Sequence, residues 1–179
     1  MDGGLGKQAR ADSGGNQKTY RGPLQQEMNI ITQGKWDVRF LKLAHEVASW
    51  SKDPSTKVGC VLVKGKKVVS LGYNGLPMGV EDSIERLVDR NLKYEMTVHA
   101  EVNAVTTAAL HGVSTNGATA YVTFHPCSRC AAVLINAGIS TVVISAHDIN
   151  CDRWLDSFRL AAQLLNEAGI GHEIVDPEI

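Results

Sequence analysis

Residues 122–134 read VTFHPCSRCAAVL, and the way this stretch folds decides the architecture of the whole chain. VTF closes a β-branched run, whereas SRCAAVL opens an apolar segment of helical period, so the stretch is a strand-to-helix junction ordered by Pro126. Cys127 and Cys130 sit at that junction, two residues apart. Taken alone they fit a disulfide, a redox pair, a metal clamp or two buried apolar residues.

Working outward, ATAYVTF (118–124) reads as a strand, and SRCAAVLINAG (128–138) as a helix closed by Gly138. TVVIS (141–145) is a second strand, WLDSFRLAAQLLNEAG (154–169) an amphipathic helix, and HEIV (172–175) a short last strand. On the other side, KWDVRFLKLAHEVASW places Trp36, Phe40, Leu43, Ala44 and Val47 at helical spacing, and Pro54 in SKDPST bars its continuation. VGCVLVK (58–64) and KVVSLGY (67–73) form a hairpin across a Gly-Lys turn. An insertion runs from NGLPMGVED to about Met96, with SIERLVDRNLK as one helix started by Ser83, and HAEVNAVTTAAL (99–110) is a further helix. The order predicts one α/β layer fold with helices packed over a central sheet.

The chain has 179 residues, with 18 Lys plus Arg against 19 Asp plus Glu. One domain with a sizeable core fits this length. The near-neutral charge offers no field for gripping polynucleotide phosphates, which favours a small-molecule partner and no nucleic acid. No apolar run reaches the length of a membrane span, and the N-terminus lacks the apolar stretch of a signal peptide. A cytoplasmic, reducing setting is therefore expected, in which the four cysteines are metal ligands, nucleophiles or buried residues before they are disulfides. Residues 1–34, rich in Gly, Gln and Ser, are expected to form a flexible arm, with the part before Met28 a dispensable extension. Residues 35–179 would then be the catalytic domain.

Two thiolates in a first helical turn supply half of a tetrahedral zinc site, and the free N–H groups there favour the ionised form. TVHAE adds His99, a good third ligand at the start of another helix, and three ligands leave one position open. Glu101, one residue from that ligand, is placed to shuttle a proton. H-A-E, a gap of 24 residues and then P-C-S-R-C is the zinc deaminase pattern.

On these residues the chain resembles the cytidine and deoxycytidylate deaminase superfamily, most closely the deoxycytidylate (dCMP) deaminases of phages and bacteria. SKDPSTKVGCVLV (51–63), GYNGLPMG (72–79), HAEVNA (99–104), HPCSRCAAVLINAGI (125–139) and SFRLAAQLLNEAGI (157–170) carry the resemblance. It implies a three-layer α-β-α fold on a mixed five-stranded sheet, and hydrolysis of dCMP to dUMP and ammonia. His99, Cys127 and Cys130 would hold one zinc per chain, and Glu101 would be the proton shuttle. Asn74 would meet the deoxyribose, the backbone of Ala100 the pyrimidine carbonyl, and His125 with Pro126 would wall the base. Asn74, Gly75, Glu81 and Asp82 would form an effector site for dCTP or dTTP, with Mg2+ as companion ion. The resemblance also implies a homo-oligomer, often a hexamer, and a cytoplasmic enzyme (in the host cytoplasm if viral). Residues 75–97 contain no Cys or His, so no second, structural zinc is expected.

The alternatives within the same chemistry are dCTP, 5-substituted dCMP, cytidine, cytosine and tRNA adenosine as substrates. Outside it stands a silent regulatory relative, against which the retained Glu101 argues. The remaining polar residues have plainer readings. His45, His111, His147 and His172 are expected at surfaces or element ends, Cys60 in the core, and Cys151 in a connection as a free thiol. Lys52, Lys57, Arg86 and Arg90 are candidates for a substrate phosphate but read as solvated charges. Trp36, Trp50 and Trp154 read as packing anchors and not as stacking platforms.

Overall fold

A computed structural model describes residues 34–146 and 152–177. The proposed arm, His147 and Cys151 lie outside the described residues, Gly34 excepted. The elements are α1 (Lys35–Ser49), β1 (Gly59–Lys64), β2 (Lys67–Tyr73), α2 (Ile84–Val88), α3 (Arg90–Met96) and α4 (Ala100–Leu110). There follow β3 (Thr119–Val122), α5 (Ser128–Asn136), β4 (Thr141–Ser145), a 3-10 turn (Asp152–Trp154), α6 (Leu155–Glu167) and β5 (Gly171–Val175).

The five strands form one sheet in the order β2-β1-β3-β4-β5. β1 is antiparallel to both β2 and β3, while β3-β4 and β4-β5 are parallel, so the sheet is mixed as expected. The hairpin turn carries Gly65 and Lys66 at φ 55° and 63°, the left-handed pair that suits the twist of the strands it joins. The strands then alternate between two faces. Val61, Val63, Tyr121, Val143 and Val175 pack with Phe40, Leu41, Ala44 and Val47 of α1. Cys60, Leu62, Ala120, Val122, Val142 and Ile144 pack on the other face with Ala100, Ala104, Ala131, Leu134, Ala161 and Leu165 of α4, α5 and α6. Three layers result.

Two sequence-based expectations need correction here. The single helix expected over 83–93 is two short helices, because Asp89 leaves the helical region and its Oδ1 accepts from the N–H groups of Asn91 and Leu92, capping α3. Trp36 and Trp50, expected as anchors, remain 42% and 48% exposed. Trp36 stacks on Phe40 with Arg39 and Lys66 over its ring, and Trp50 meets Tyr73 edge-on.

The layer that carries the site is held unusually close to the sheet. Gly72 of β2 faces α4 so tightly that a Cβ there would lie 2.3 Å from the Ala104 nitrogen and 2.5 Å from the Ala100 carbonyl. Ser70 Oγ donates to the Ala104 carbonyl at 2.7 Å in the same seam. Both contacts are to backbone, so no side-chain rotation can relieve them. Gly72→Ala is therefore expected to destabilise the fold by about 3 kcal/mol, read as a lower urea midpoint. An unchanged midpoint would show that α4 can retreat from the sheet.

Candidate metal centre and substrate pocket

The two helix starts that the motif joins lie side by side. His99 is the residue before α4, and Cys127 the residue before α5, both with extended backbone. His99 Nδ1 lies 3.6 Å from Cys127 Sγ and 3.4 Å from Cys130 Sγ. All three donor atoms lie within 4.8 Å of one another, and among the described residues no other group of three or more His, Cys, Asp or Glu does so. Tetrahedral zinc, with Zn–S about 2.3 Å and Zn–N about 2.0 Å, requires N···S separations of about 3.5 Å. The donor set fits that ion.

The ionisation of the three groups fits it as well. A hydrogen bond with Cys130, together with one from His99, brings the Cys127 thiol down to about 4. A hydrogen bond with Cys127, then burial, the Glu101 carboxylate and the Cys127 charge push Cys130 up, so one thiolate resists the other. A divalent cation between them offsets that repulsion. The Cys127 hydrogen bond also raises His99. Glu101, in the first turn of α4, is 4% exposed, and burial raises its carboxyl above the usual range. That is the direction a proton carrier needs. Cys60, fully buried, has its thiol pushed up by burial and then by Glu101, in keeping with its expected core role.

A pocket opens above these groups. His99, Ala100, Glu101 and Cys127 line it together with Asn74, Val58, Phe124, His125 and Phe158. Lys93, Tyr94, Arg153 and Trp154 complete the lining. Tyr94 and Trp154 meet edge to face at 6.0 Å, and Phe124 packs edge to face on Phe158 at 5.6 Å. Such walls suit a planar ring.

Asn74, expected to contact sugar, lines the pocket but also organises its rim. Its Oδ1 accepts from Val58 N–H at 2.8 Å, and its Nδ2 donates to the Thr56 carbonyl at 2.9 Å. Pro126 is buried behind His125 and does not line the pocket. Gly75, Glu81 and Asp82 do not line it either. Gly75 exchanges two backbone hydrogen bonds with Val98, pinning the strand end to the segment that delivers His99. Lys52 pairs with Asp82 and Arg86 with Glu81, Lys57 donates to the Ser49 carbonyl, and Arg90 lies over Tyr94. None of the four cations named from sequence lines the pocket.

The lining residues that the sequence reading missed are Asp53, Thr56, Val58, Lys93, Tyr94, Thr97, Phe124, Arg153 and Phe158, and Trp154, read as a packing anchor, lines the pocket as well. One signal was available: Lys93-Tyr94 and Arg153-Trp154 are both basic-aromatic pairs, and two distant segments carrying the same pair can meet around one anionic, ring-bearing ligand.

Lys93 is tied to Asp53, both pocket residues, by Nζ contacts of 2.8 Å to each carboxylate oxygen, and it also bonds Ser55 Oγ. Burial raises the Asp53 carboxyl, but Lys93 and the N–H groups of Ser55 and Thr56 outweigh it and hold it below its ordinary value. A lowered carboxylate contributes stability above its unfolded-state pKa and loses it as pH falls through the folded one. Lys93→Met leaves that carboxylate buried without its cation and is expected to cost about 3 kcal/mol at pH 7. The gap from wild type should close as pH falls through the folded-state pKa of Asp53, because a protonated carboxyl needs no cation. Urea unfolding at neutral and acid pH measures both; a gap independent of pH would contradict the pairing.

An open three-donor set beside a buried carboxyl, in an aromatic-walled pocket on an α/β sheet, defines a metal-dependent hydrolase. Comparison with known proteins narrows the class. Residues 34–146 match the family described as "Cytidine and deoxycytidylate deaminase zinc-binding region". The chain is 40% identical over 137 residues to an uncharacterized deaminase in the luxG 3' region of Aliivibrio fischeri, covering 76% of this chain and 90% of that protein. It is 34% identical over 144 residues to the deoxycytidylate deaminase of Homo sapiens, covering 76% and 77%. Among solved structures, the dCMP deaminase of cyanophage S-TIM5 in complex with dCMP and dUMP matches with TM-score 0.65 at 23% identity, over 81% of this chain and 100% of that one. The chain belongs to the cytidine and deoxycytidylate deaminase family.

Proposed function

We propose that this chain deaminates dCMP to dUMP and ammonia, with zinc held by His99, Cys127 and Cys130. The observation that carries the reading is the cluster of those three donors, two of which, His99 and Cys127, line one pocket together with the buried Glu101. Zinc, when bound there, supplies an activated water at neutral pH. Glu101 accepts the proton of that water and passes it to N3 of the ring. As the water oxygen bonds to C4, Glu101 takes the remaining proton from that oxygen and delivers it to the amino nitrogen, so that the C4–N bond breaks, the C4 carbonyl forms and ammonia leaves. The Ala100 backbone meets the ring carbonyl, and the aromatic walls hold the ring plane. Arg153 lines the pocket without an acidic partner among the described residues, and supports a phosphorylated substrate over a nucleoside or free base. Deoxycytidylate deaminases among the relatives support the same choice.

The reading extends to a cytoplasmic homo-oligomer with an effector site at Asn74, Gly75, Glu81 and Asp82 that takes dCTP or dTTP with Mg2+. Ile84, Val88 and Leu92, 54%, 63% and 47% exposed along the α2-α3 insertion, support association of copies. Its catalytic unit is residues 35–179. A panel of dCMP, dCTP, 5-substituted dCMP, cytidine and cytosine, run with zinc-loaded protein with and without dCTP or dTTP and Mg2+, tests it. dCMP is expected to have the largest kcat/KM. No turnover of any deoxycytidine nucleotide would reject the function, and indifference to both triphosphates would reject the effector site.

A further inference from the structure

Ser128 opens α5, and its backbone N–H has no carbonyl of its own helix to reach. Ser157 Oγ, in the first turn of α6, accepts that N–H at 3.1 Å, and the two serine hydroxyls lie 3.4 Å apart. Part of the cap of α5 therefore comes from another helix, 29 residues along the chain. In the same turn Cys127 Sγ accepts the Cys130 N–H at 3.5 Å. The peptide group that Ser157 holds is the one joining Cys127 to Ser128, next to one metal donor and two residues before the other. Neither serine lines the pocket, so a ligand does not replace this contact. Around Ser157 stand residues that do line it: Arg153, Trp154 and Phe158, whose ring packs on Phe124 and His125. α6 is a firm reference, since Phe158, Ala161 and Leu165 are buried along it.

We propose that Ser157 is a positioning residue for the metal: by holding the Cys127–Ser128 peptide it keeps both thiols in register with the α6 wall of the pocket. The proposal rests on the zinc reading above and concerns how the donors are held. A hydrogen bond from a fixed helix to the backbone beside a ligand sets the direction from which that ligand reaches the ion.

The test is Co2+ titration of metal-free protein, because the visible bands of Co2+ in an N/S site report the donor geometry. Ser157→Ala is expected to alter those bands and to raise the Kd for Co2+ about tenfold. In zinc-loaded protein it should lower kcat for dCMP about tenfold with KM within about twofold, since the α6 wall keeps its core anchors. Ser157→Thr retains the hydroxyl and should restore bands and Kd. Adding Ser128→Pro to Ser157→Ala removes the donor as well as the acceptor and should cause no further change. Proline suits the first helical position, and Cys127 already has the extended backbone (φ -73°, ψ 167°) that precedes one. A merely structural serine would lower the urea midpoint of Ser157→Ala and leave bands and Kd untouched, and that result overturns the proposal. So does a defect that Ser157→Thr does not restore, or a further shift on adding Ser128→Pro. Wild-type protein that binds Co2+ yet, loaded with zinc, releases no ammonia from dCMP would reject the deamination reading, while the Co2+ arms still decide the role of Ser157.

Discussion

Glu101→Ala is expected to keep one zinc per chain and to lose roughly 10³-fold of its dCMP turnover. The separation of the two effects follows from where the carboxyl sits. Glu101 is one residue from His99 but is not one of the three clustered donors, so its removal leaves the N/S/S set intact. What is lost is the group that moves protons. Burial raises its carboxyl, which makes the protonated form accessible and the return of the proton easy. A carboxyl of ordinary pKa would take the first proton poorly and pass it on too readily. Glu101→Gln sharpens the result, because it preserves shape and hydrogen bonding while abolishing proton transfer, and should be about as slow as Glu101→Ala. Zinc content by elemental analysis and ammonia release measure the two quantities. Turnover within about tenfold of wild type in a zinc-replete Glu101→Gln protein would show that another group carries the protons.

Cys130→Ser is expected to lose zinc, activity and stability together. Cys130 is 1% exposed in the first turn of α5, with Sγ 3.4 Å from His99 Nδ1. A serine hydroxyl stays protonated and leaves two donors, so zinc affinity should fall by more than about 100-fold. Because the donors come from two different helix starts, the ion fastens α4 to α5, and its binding energy is also folding energy. The variant should therefore melt below zinc-loaded wild type, and a chelator should lower the wild-type Tm while hardly moving that of the variant. A variant that retains full zinc, or wild type whose Tm ignores the chelator, would remove the three-donor site from the account.

Much of this was legible along the chain, and for a definable reason. One residue separates His99 from Glu101 and two separate Cys127 from Cys130, so local helix geometry alone sets the relative directions within each pair. The sheet order likewise follows from short connections: β1 and β2 through a two-residue turn, β3-α5-β4 and β4-α6-β5 through crossovers that force parallel strands. What failed were segments with weak local signals. In SIERLVDRNLK helical residues continue past Asp89, and nothing in the period reveals that its side chain serves α3 and not α2. The tryptophans misled because size argues for burial, whereas Trp36 and Trp50 sit at the ends of α1 and stay exposed there.

The amino-acid sequence by itself determined the layered fold and the local pairs His99 with Glu101 and Cys127 with Cys130, because each pair is encoded in a spacing that helix geometry converts directly into direction; the meeting of the two pairs needed the docking of α4 beside α5. The substrate pocket was decided by tertiary structure alone. Lys93, Tyr94, Arg153, Trp154 and Phe158 come from an insertion and a distant turn-helix unit, and they become neighbours of Glu101 only when α3 and α6 dock beside α4 and α5. The same is true of Ser157, which stands 29 residues from Ser128 along the chain and meets its N–H only because α6 docks on the start of α5.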